Sequence, residues 1–276
     1  MEAVEAALER AAAWLAGCRR LLILTGAGMS AESGIPTFRD EGGYWRRFPP
    51  FARLGLAAQD LASPWAFRHH LAHAWAFYEW RRRNAAANRP HPGYAVVTRW
   101  LTEGRFDAFV HTTNTDGYHL RAGVPPERLR EVHGSMWRLQ CLRPCSPHFW
   151  PEERVPLCRL HEATMEAEDF PRCPRCGGVA RPHILMFGDG DYVGHPEQDR
   201  RFAAYLEGGV EVALLIGASG AVPTNDLLAA RLQRGGCRVV TINPDPAAGG
   251  HLRPDAALHL PASEALARLE QRLASG

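Results

Sequence analysis

Near the start of the chain, the stretch Gly26-Ala27-Gly28-Met29-Ser30-Ala31 follows the apolar run Leu21-Leu22-Ile23-Leu24 after one intervening threonine. A short β-favouring apolar run that leads into a glycine is typical of a buried parallel strand. Gly26, Gly28 and Ala31 have the G-x-G-x-x-G/A spacing of a strand-to-helix turn that approaches a pyrophosphate. Glycine is expected there because a β-carbon would hold the phosphates away from free N–H groups. Taken alone, the motif also fits an ordinary tight turn.

Four apolar runs are predicted to be parallel strands, with helical patterns between them. They span residues 21–25, 108–112, 212–216 and 238–242. This alternation predicts an α/β fold with a Rossmann-like, doubly wound parallel sheet. Ligands of such sheets bind outside the carboxyl ends of the strands, so we expect the site in the loops that follow the four runs. Those loops are residues 26–39, 113–119, 217–225 and 243–246.

Two segments lack the strand–helix alternation and are predicted to be insertions that together form a smaller domain. Residues 41–92 are rich in Arg and Trp, and a helix is expected over 64–87 because Ser63 and Pro64 make a good helix start. Residues 137–182 are rich in Cys, Pro and Arg. The remaining residues, 1–40, 93–136 and 183–276, are assigned to the Rossmann-like domain, and we expect a cleft between the two domains.

The composition is that of an ordinary soluble protein, with 46% hydrophobic residues. No apolar run approaches the roughly 20 residues of a membrane span, and residues 1–20 are typical of an amphipathic helix and not of a signal peptide. These features predict a cytoplasmic protein that has no membrane partner. A net charge of +2 gives no reason to expect a nucleic acid partner. All 32 basic residues are arginine, and the oligomeric state stays open.

Four cysteines form two close pairs, Cys141-x-x-x-Cys145 and Cys173-x-x-Cys176, which are separated by 27 residues. Four thiolates satisfy a tetrahedral Zn²⁺ ion and close it to water, which is typical of a structural site. In a cytosolic chain, metal binding is favoured over disulfides. The first pair has one more intervening residue than usual, and Cys158 and His161 lie between the pairs, so either could replace a ligand.

Polar residues also follow the second predicted strand, in Thr113-Asn114-Thr115-Asp116-Gly117-Tyr118-His119. Asn and Asp commonly cap such loops, so this segment alone also fits an Asx-capped turn. His133-Gly134 lies just before the cysteine-rich insertion. Histidine suits a proton acceptor because its pKa lies near neutrality, although most of the 13 histidines must have other roles.

Together these segments resemble the signatures of the sirtuins, which are NAD-consuming protein deacylases. The first signature is matched almost letter for letter by residues 26–39, which end in Phe38-Arg39. Residues 113–123 resemble the last eleven positions of T-Q-N-I-D-G-L-H-x-x-A-G, and His133-Gly134 matches the short catalytic motif. Residues 217–223 and 243–245 resemble two further nucleotide-binding loops. The resemblance covers essentially the whole chain, in order.

The resemblance implies that the chain consumes NAD as a co-substrate and releases nicotinamide, acyl-ADP-ribose and deacylated lysine. His133 would deprotonate a ribose hydroxyl, Asn114 would orient the ribose or its water, and Asp116 would bind the nicotinamide carboxamide. The catalytic residues would thus be His133 and Asn114. The residues that would bind NAD are Gly26, Ala27, Gly28, Phe38, Arg39, Asn114, Asp116, Gly217, Ser219, Asn243 and Asp245.

The substrate implied by the resemblance is an acylated protein or peptide. Residues 181–189 resemble the last nine positions of V-R-P-x-V-V-x-F-G-E, in which Phe187 and Gly188 would contact the peptide. This chain departs from the pattern at Asp189, where Glu is usual, and beside the nicotinamide pocket at Thr113 and Thr115, where Gln and Ile are usual.

The choice of acyl group is suggested by Tyr78 and Arg81, which share one face of the expected helix. Their Y-x-x-R spacing resembles that of sirtuins that prefer succinyl or malonyl lysine, and a guanidinium can hold a carboxylate with two hydrogen bonds. The alternative is a packing stripe that also includes Trp75, Phe77 and Trp80.

Two other functions stay open at this stage. The altered Thr113 and Thr115 favour a mono-ADP-ribosyltransferase or an NAD glycohydrolase on the same fold, whereas His133 favours a deacylase. A non-catalytic interaction protein with a zinc site is the third possibility, and the retained Asn114, Asp116 and His133 argue against it.

Overall fold

A six-stranded, all-parallel sheet forms the centre of the computed structural model, which describes residues 2–36, 55, 58–161, 163–248 and 252–275. The strands described are β1 (Arg20–Thr25), β2 (Asp107–Thr112), β3 (Leu129–Glu131), β4 (Gly134–Cys141), β5 (Phe149–Pro151), β6 (Leu160–His161), β7 (Glu166–Ala167), β8 (Ala180–Ile184), β9 (Val212–Ile216), β10 (Arg238–Ile242) and β11 (Ala256–Leu258). The order across the large sheet is β11-β10-β9-β1-β2-β3. Strands β1, β2 and β3 extend to one side of the β9–β1 boundary, and strands β9, β10 and β11 extend to the other. This boundary is therefore the topological switch point, where such sheets bind ligands.

Helices cover both faces of this sheet, as the doubly wound prediction requires. The helices described are α1 (Glu2–Gly17), α2 (Ala27–Ala31), α3 (Ala58–Leu61), α4 (Pro64–His69), α5 (Leu71–Ala87), α6 (Pro92–Thr102), α7 (Tyr118–Arg121), α8 (Pro196–Glu207), α9 (Thr224–Arg234) and α10 (Ala262–Ser275). Leu21 and Ile23 of β1 belong to the core that α1, α6 and α10 share, and Leu22 and Leu24 belong to the core beneath α8 and α9. Both faces of β1 are therefore buried, which explains its continuous apolar run.

A smaller antiparallel sheet, in the order β5-β4-β8, carries the cysteine-rich insertion. Leu139 and Ala180 of this sheet and Trp75 of α5 belong to the same buried cluster as one face of the large sheet. The limits proposed for the two domains stay a prediction. Strand β4 crosses the proposed limit between residues 136 and 137, and strand β8 crosses the one between residues 182 and 183. No helix in the described ranges has the length and apolar character needed to cross a membrane.

The α/β prediction and the four predicted strands are confirmed, but two details differ. The helix expected over 64–87 is two helices, because His70, with φ −137° and ψ 46°, leaves the helical conformation between α4 and α5. Ser63 caps the first of them, accepting a hydrogen bond from the Ala66 N–H at 3.2 Å. Strands β3 and β11, which complete the two edges of the sheet, were not predicted from the sequence.

Three glycines bring the loops after β1 and β9 into direct backbone contact. The Gly26 N–H donates to the Ile216 carbonyl and the Gly28 N–H to the Gly217 carbonyl, both at 2.9 Å. A Cβ on Gly28 would lie 2.7 Å from the Gly217 Cα, and a Cβ on Gly217 would lie 2.2 Å from the Met29 nitrogen. The expectation that the N–H groups of Gly26 and Gly28 are free to bind phosphates is therefore wrong, because both already donate to backbone carbonyls. Glycine is required here by the close packing of the two backbones.

Gly217→Ala is expected to lower the free energy of unfolding by about 2–5 kcal/mol, because left-handed strain and a backbone clash act together. Gly217 has φ 64°. Gly209→Ala is the matched control, because Gly209 has φ 81° but open space where the Cβ would lie, so only the strain of about 1–2 kcal/mol applies. Denaturant unfolding measures both variants. Equal destabilisation of the two variants would mean that the close contact between the two loops contributes nothing to the stability loss of Gly217→Ala.

Candidate functional site

A buried polar network lies directly behind the Gly26 turn. The Asn114 amide nitrogen donates to the Gly26 carbonyl at 2.9 Å and to the Ser30 hydroxyl at 3.0 Å. The Ser30 hydroxyl donates to the Asp116 carboxylate at 2.6 Å and lies 2.8 Å from the Tyr94 hydroxyl. The structure thus brings together two residues singled out in the sequence, on the loop after β2, with the turn after β1.

Burial raises the pKa of the Asp116 carboxyl, while hydrogen bonds from the Ser30 hydroxyl and the Tyr118 N–H act in the opposite direction. Asp116 is 5% exposed. A buried carboxylate that accepts two hydrogen bonds is held in one orientation.

Ser30 and Tyr94 were not predicted as members of the site. Ser30 lies inside the quoted glycine motif, where its hydroxyl carries no signal of its own. Tyr94 lies on α6, far along the sequence from the loops it contacts. Only the folded arrangement identifies these two hydroxyl groups as partners of Asp116.

His133 lies immediately before β4, beside the loop that follows β2. Its backbone carbonyl accepts a hydrogen bond from the Leu185 N–H at 3.0 Å, which ties it to the segment after β8. Burial lowers the pKa of His133 below its ordinary value, a hydrogen bond with the Thr113 backbone opposes this effect, and Arg130 adds to it. The imidazole is therefore neutral at pH 7 and able to accept a proton.

Tyr78 and Arg81 lie together on α5, as their spacing predicts. The Arg81 guanidinium is 5.6 Å from the centre of the Tyr78 ring and donates to the Thr115 hydroxyl at 3.3 Å. Tyr78 is fully buried, its hydroxyl has no hydrogen-bond partner among the described residues, and burial raises its pKa to about 12. Trp75 and Phe77 are also buried, so the helix provides packing as well as this polar pair.

The segment after β8 leaves Phe187 at the surface, where it is 51% exposed, and Gly188 has φ 68°. Asp189, the residue that replaces Glu, forms a fully buried ion pair with Arg181 at 2.7 Å. The Phe187 N–H donates to the Ala62 carbonyl at 3.3 Å. Asp189 therefore anchors this segment from inside the protein.

The loops after β9 and β10 meet at the same edge of the sheet. The Asn243 side-chain amide donates to the Ala218 carbonyl at 2.8 Å, and its oxygen accepts a hydrogen bond from the Asp245 N–H at 3.0 Å. Asp245 is exposed, and the Ser219 hydroxyl accepts a hydrogen bond from the Ala221 N–H at 3.3 Å. An exposed carboxylate beside a glycine turn at the switch point fits the ribose of a dinucleotide. Phe38 and Arg39 lie outside the described residues.

The four predicted metal ligands form one cluster in which all the sulfur atoms lie within 4.8 Å of one another. The Sγ atoms of Cys141 and Cys176 are 3.6 Å apart, and those of Cys145 and Cys173 are 3.7 Å apart. Sulfurs bound at the usual distance to a tetrahedral zinc ion would be about 3.8 Å apart, so the donor set and its spacing fit structural zinc.

The turn between the second pair of cysteines is closed by two backbone hydrogen bonds. The Gly177 N–H donates to the Cys173 carbonyl at 2.9 Å, and the Cys173 N–H donates to the Gly178 carbonyl at 2.7 Å. Among the described residues, neither Cys158 nor His161 belongs to the cluster. Despite the extra residue between Cys141 and Cys145, both cysteines therefore keep their predicted places in the cluster.

Cys173→Ser or Cys176→Ser is expected to release zinc and to lower the melting temperature, because a structural zinc site contributes directly to folding stability. Metal analysis of the purified proteins and thermal unfolding measure the two effects. Cys18→Ser is the control, since this half-buried thiol lies outside the cluster. Purified wild-type protein without zinc would contradict the prediction.

Comparison with known proteins agrees with this architecture. The family model described as "Sir2 family" matches residues 26–224. The chain is 37% identical over 266 residues to NAD-dependent protein deacylase 1 of Pseudomonas aeruginosa, covering 95% of this chain and 97% of that protein. It is 35% identical over 236 residues to NAD-dependent protein deacylase 2 of Pyrobaculum aerophilum, covering 85% and 83%.

A solved structure extends the agreement to the fold. The crystal structure of a Sir2 homolog–NAD complex superposes with a TM-score of 0.79 at 27% identity, covering 97% of this chain and 94% of the other. With the family match over residues 26–224 and relatives above 30% identity along most of its length, the chain belongs to the Sir2 family.

Proposed function

We propose that this NAD-dependent protein deacylase transfers the acyl group of an acylated lysine to the ADP-ribose part of NAD, and that it accepts acyl groups that end in a carboxylate. The observation that carries the proposal is that Asn114 and Asp116 share one hydrogen-bond network with the Gly26 turn, and that His133 hydrogen-bonds to the backbone of Thr113, the residue before Asn114. The relatives named as NAD-dependent protein deacylases support the same reaction class.

NAD, when bound, supplies the ribose carbon from which nicotinamide departs. Gly217, Ser219, Asn243 and Asp245 would hold the adenosine side, where an exposed carboxylate can accept hydrogen bonds from ribose hydroxyls. Asp116 would bind the carboxamide at the other end of the cofactor.

Asn114 is proposed to orient the ribose or its water through its side-chain oxygen. Both amide hydrogens are already donated, to the Gly26 carbonyl and to the Ser30 hydroxyl. The oxygen is the remaining hydrogen-bonding atom of the side chain, and the two donated bonds fix where it lies. The network therefore presents a single acceptor in one orientation.

His133 is proposed as the general base that removes a proton from a ribose hydroxyl. Because burial lowers its pKa, the imidazole is in the proton-accepting form at neutral pH. Phe187 and Gly188 would contact the acylated peptide beside it, and the hydrogen bond from the Leu185 N–H to the His133 carbonyl fixes the two elements relative to each other.

Tyr78 and Arg81 are proposed to bind the carboxylate of a succinyl or malonyl group. The buried Tyr78 hydroxyl has no hydrogen-bond partner among the described residues, and such a group is costly to bury unless a ligand or water satisfies it. Arg81 adds positive charge beside it, and the two together match an acidic acyl terminus in shape and charge.

Product analysis separates this function from its alternatives. A panel of acetylated and succinylated peptides is incubated with NAD, and the products are identified by mass spectrometry. Acyl-ADP-ribose formed with free lysine supports the deacylase. ADP-ribose attached to protein, or free ADP-ribose that forms without any acylated peptide, would instead identify a transferase or a glycohydrolase. A cytoplasmic location stays a prediction.

His133→Ala is expected to lower kcat by roughly 10²–10⁴-fold while NAD still binds, as when a general base is removed. Activity requires the neutral imidazole, so it is lost as the pH falls through the pKa of His133. Because that pKa is lowered, the acid limb of the wild-type kcat/KM profile should lie below pH 6.5. His259→Ala, at an exposed histidine, is the control. Near-normal activity of the His133 variant would exclude the proposed base.

Arg81→Met is expected to reduce kcat/KM for a succinylated peptide about tenfold to a hundredfold more than for the acetylated form, because a hydrogen bond to a charged group contributes roughly 1.5–3 kcal/mol. Both peptides share one sequence, so the ratio isolates the acyl group. Arg89→Met is the control, since Arg89 is exposed beyond the end of α5. Equal losses on both peptides, or a wild-type enzyme inactive on acidic acyl groups, would refute acidic acyl recognition.

A further inference from the structure

The loop that carries Asp116 accepts two hydrogen bonds from strand β4, which leads into the cysteine-rich insertion. The Met136 N–H donates to the Thr115 carbonyl at 2.9 Å, and the Trp137 indole N–H donates to the Asp116 carbonyl at 2.5 Å. These two hydrogen bonds fix the two peptide groups that flank the Asp116 Cα. The position of the Asp116 carboxylate is therefore set by a neighbouring element as well as by its own loop.

The indole ring of Trp137 also shapes the turn that follows Asp116. Gly117 has φ 73°, and a Cβ at this position would lie 2.6 Å from the Trp137 Cδ1. The backbone thus runs directly against the ring. A turn pressed against a rigid aromatic surface has little freedom to move.

Trp137 is in turn held by Arg82, a fully buried residue of α5. The Arg82 guanidinium lies 4.7 Å from the centre of the Trp137 ring and donates to the Met136 carbonyl. It also donates to the carbonyls of Glu152 and Arg154, each at 2.8 Å. A guanidinium has the several donors needed to join helix α5 to two other backbone segments beside the ring.

Two consecutive residues of helix α5 therefore support the Asp116 loop, one directly and one indirectly. Arg81 donates to the Thr115 hydroxyl directly, and Arg82 acts through Trp137. The other partner, β4, ends at the zinc ligand Cys141. The loop lies where the acyl-recognition helix and the zinc-bearing strand meet.

We propose that Trp137 is a positioning residue for NAD: its indole N–H, braced by Arg82, fixes the Asp116 backbone and so places the Asp116 carboxylate for the nicotinamide end of the cofactor. The inference rests on the proposed role of Asp116. It adds that a side chain outside the cleft loops determines the affinity for NAD.

The test is Trp137→Phe in the zinc-bound, full-length protein, because phenylalanine keeps an aromatic ring and removes the N–H donor. The Kd for NAD and the nicotinamide inhibition constant are expected to rise about three- to tenfold, the range for one lost hydrogen bond. The KM for the acylated peptide should stay within about twofold of wild type. A purely structural role would instead change the NAD and peptide constants together, along with zinc content and melting temperature.

Trp150→Phe is the matched control, since Trp150 lies on the adjacent strand β5 and stacks on His148. A second variant replaces Trp137 with 3-benzothienylalanine, which keeps the size of the ring and lacks the N–H, so that lost packing cannot explain the result. Wild-type affinity for NAD in both Trp137 variants would overturn the inference.

Asp116→Asn distinguishes failure of the inference from failure of the proposed function. If this variant binds NAD as tightly as wild type, the role of Asp116 itself is wrong. If it binds NAD weakly while both Trp137 variants bind normally, only the positioning role of Trp137 is overturned.

Discussion

The contact between the Gly26–Gly28 turn and Gly217 is the constraint on which the rest of the site depends. Two loops from adjacent parallel strands can approach to backbone distance only where neither carries a side chain. The contact fixes the Gly26 carbonyl, which accepts a hydrogen bond from Asn114 and so orients that side chain. Asn114 also donates a hydrogen bond to the Ser30 hydroxyl, which in turn donates to the Asp116 carboxylate, so the position of Asp116 depends on the same contact.

The second set of constraints comes from outside the large sheet. Helix α5 and strand β4 are distant in sequence from each other, yet both contact the loop after β2, through Arg81 and Trp137. The residues proposed for acyl recognition and for nicotinamide binding thus lie beside a strand that ends at a cysteine of the metal cluster.

The sheet and the metal ligands could be predicted from the sequence because each depends on a local pattern. A strand buried on both faces is a continuous apolar run, and four cysteines in two close pairs are typical of a structural zinc site in a cytosolic chain. Strands β3 and β11 have only three residues each, too few for such a pattern. The roles of Ser30, Tyr94 and Trp137 depend on partners brought together only by folding, and the helix break at His70 carries no proline or glycine as a signal.

Arginine supplies the buried positive charges at Arg82 and Arg181, and the chain contains no lysine. A guanidinium stays protonated at any physiological pH and is a poor nucleophile toward acyl thioesters, whereas a lysine amine becomes acylated once it loses its proton. A protein that removes acyl groups from lysine, but has none, offers no side-chain amine on which that modification can form. Rising concentrations of acyl donors therefore increase the modification of its substrates without modifying lysine on the enzyme that reverses it.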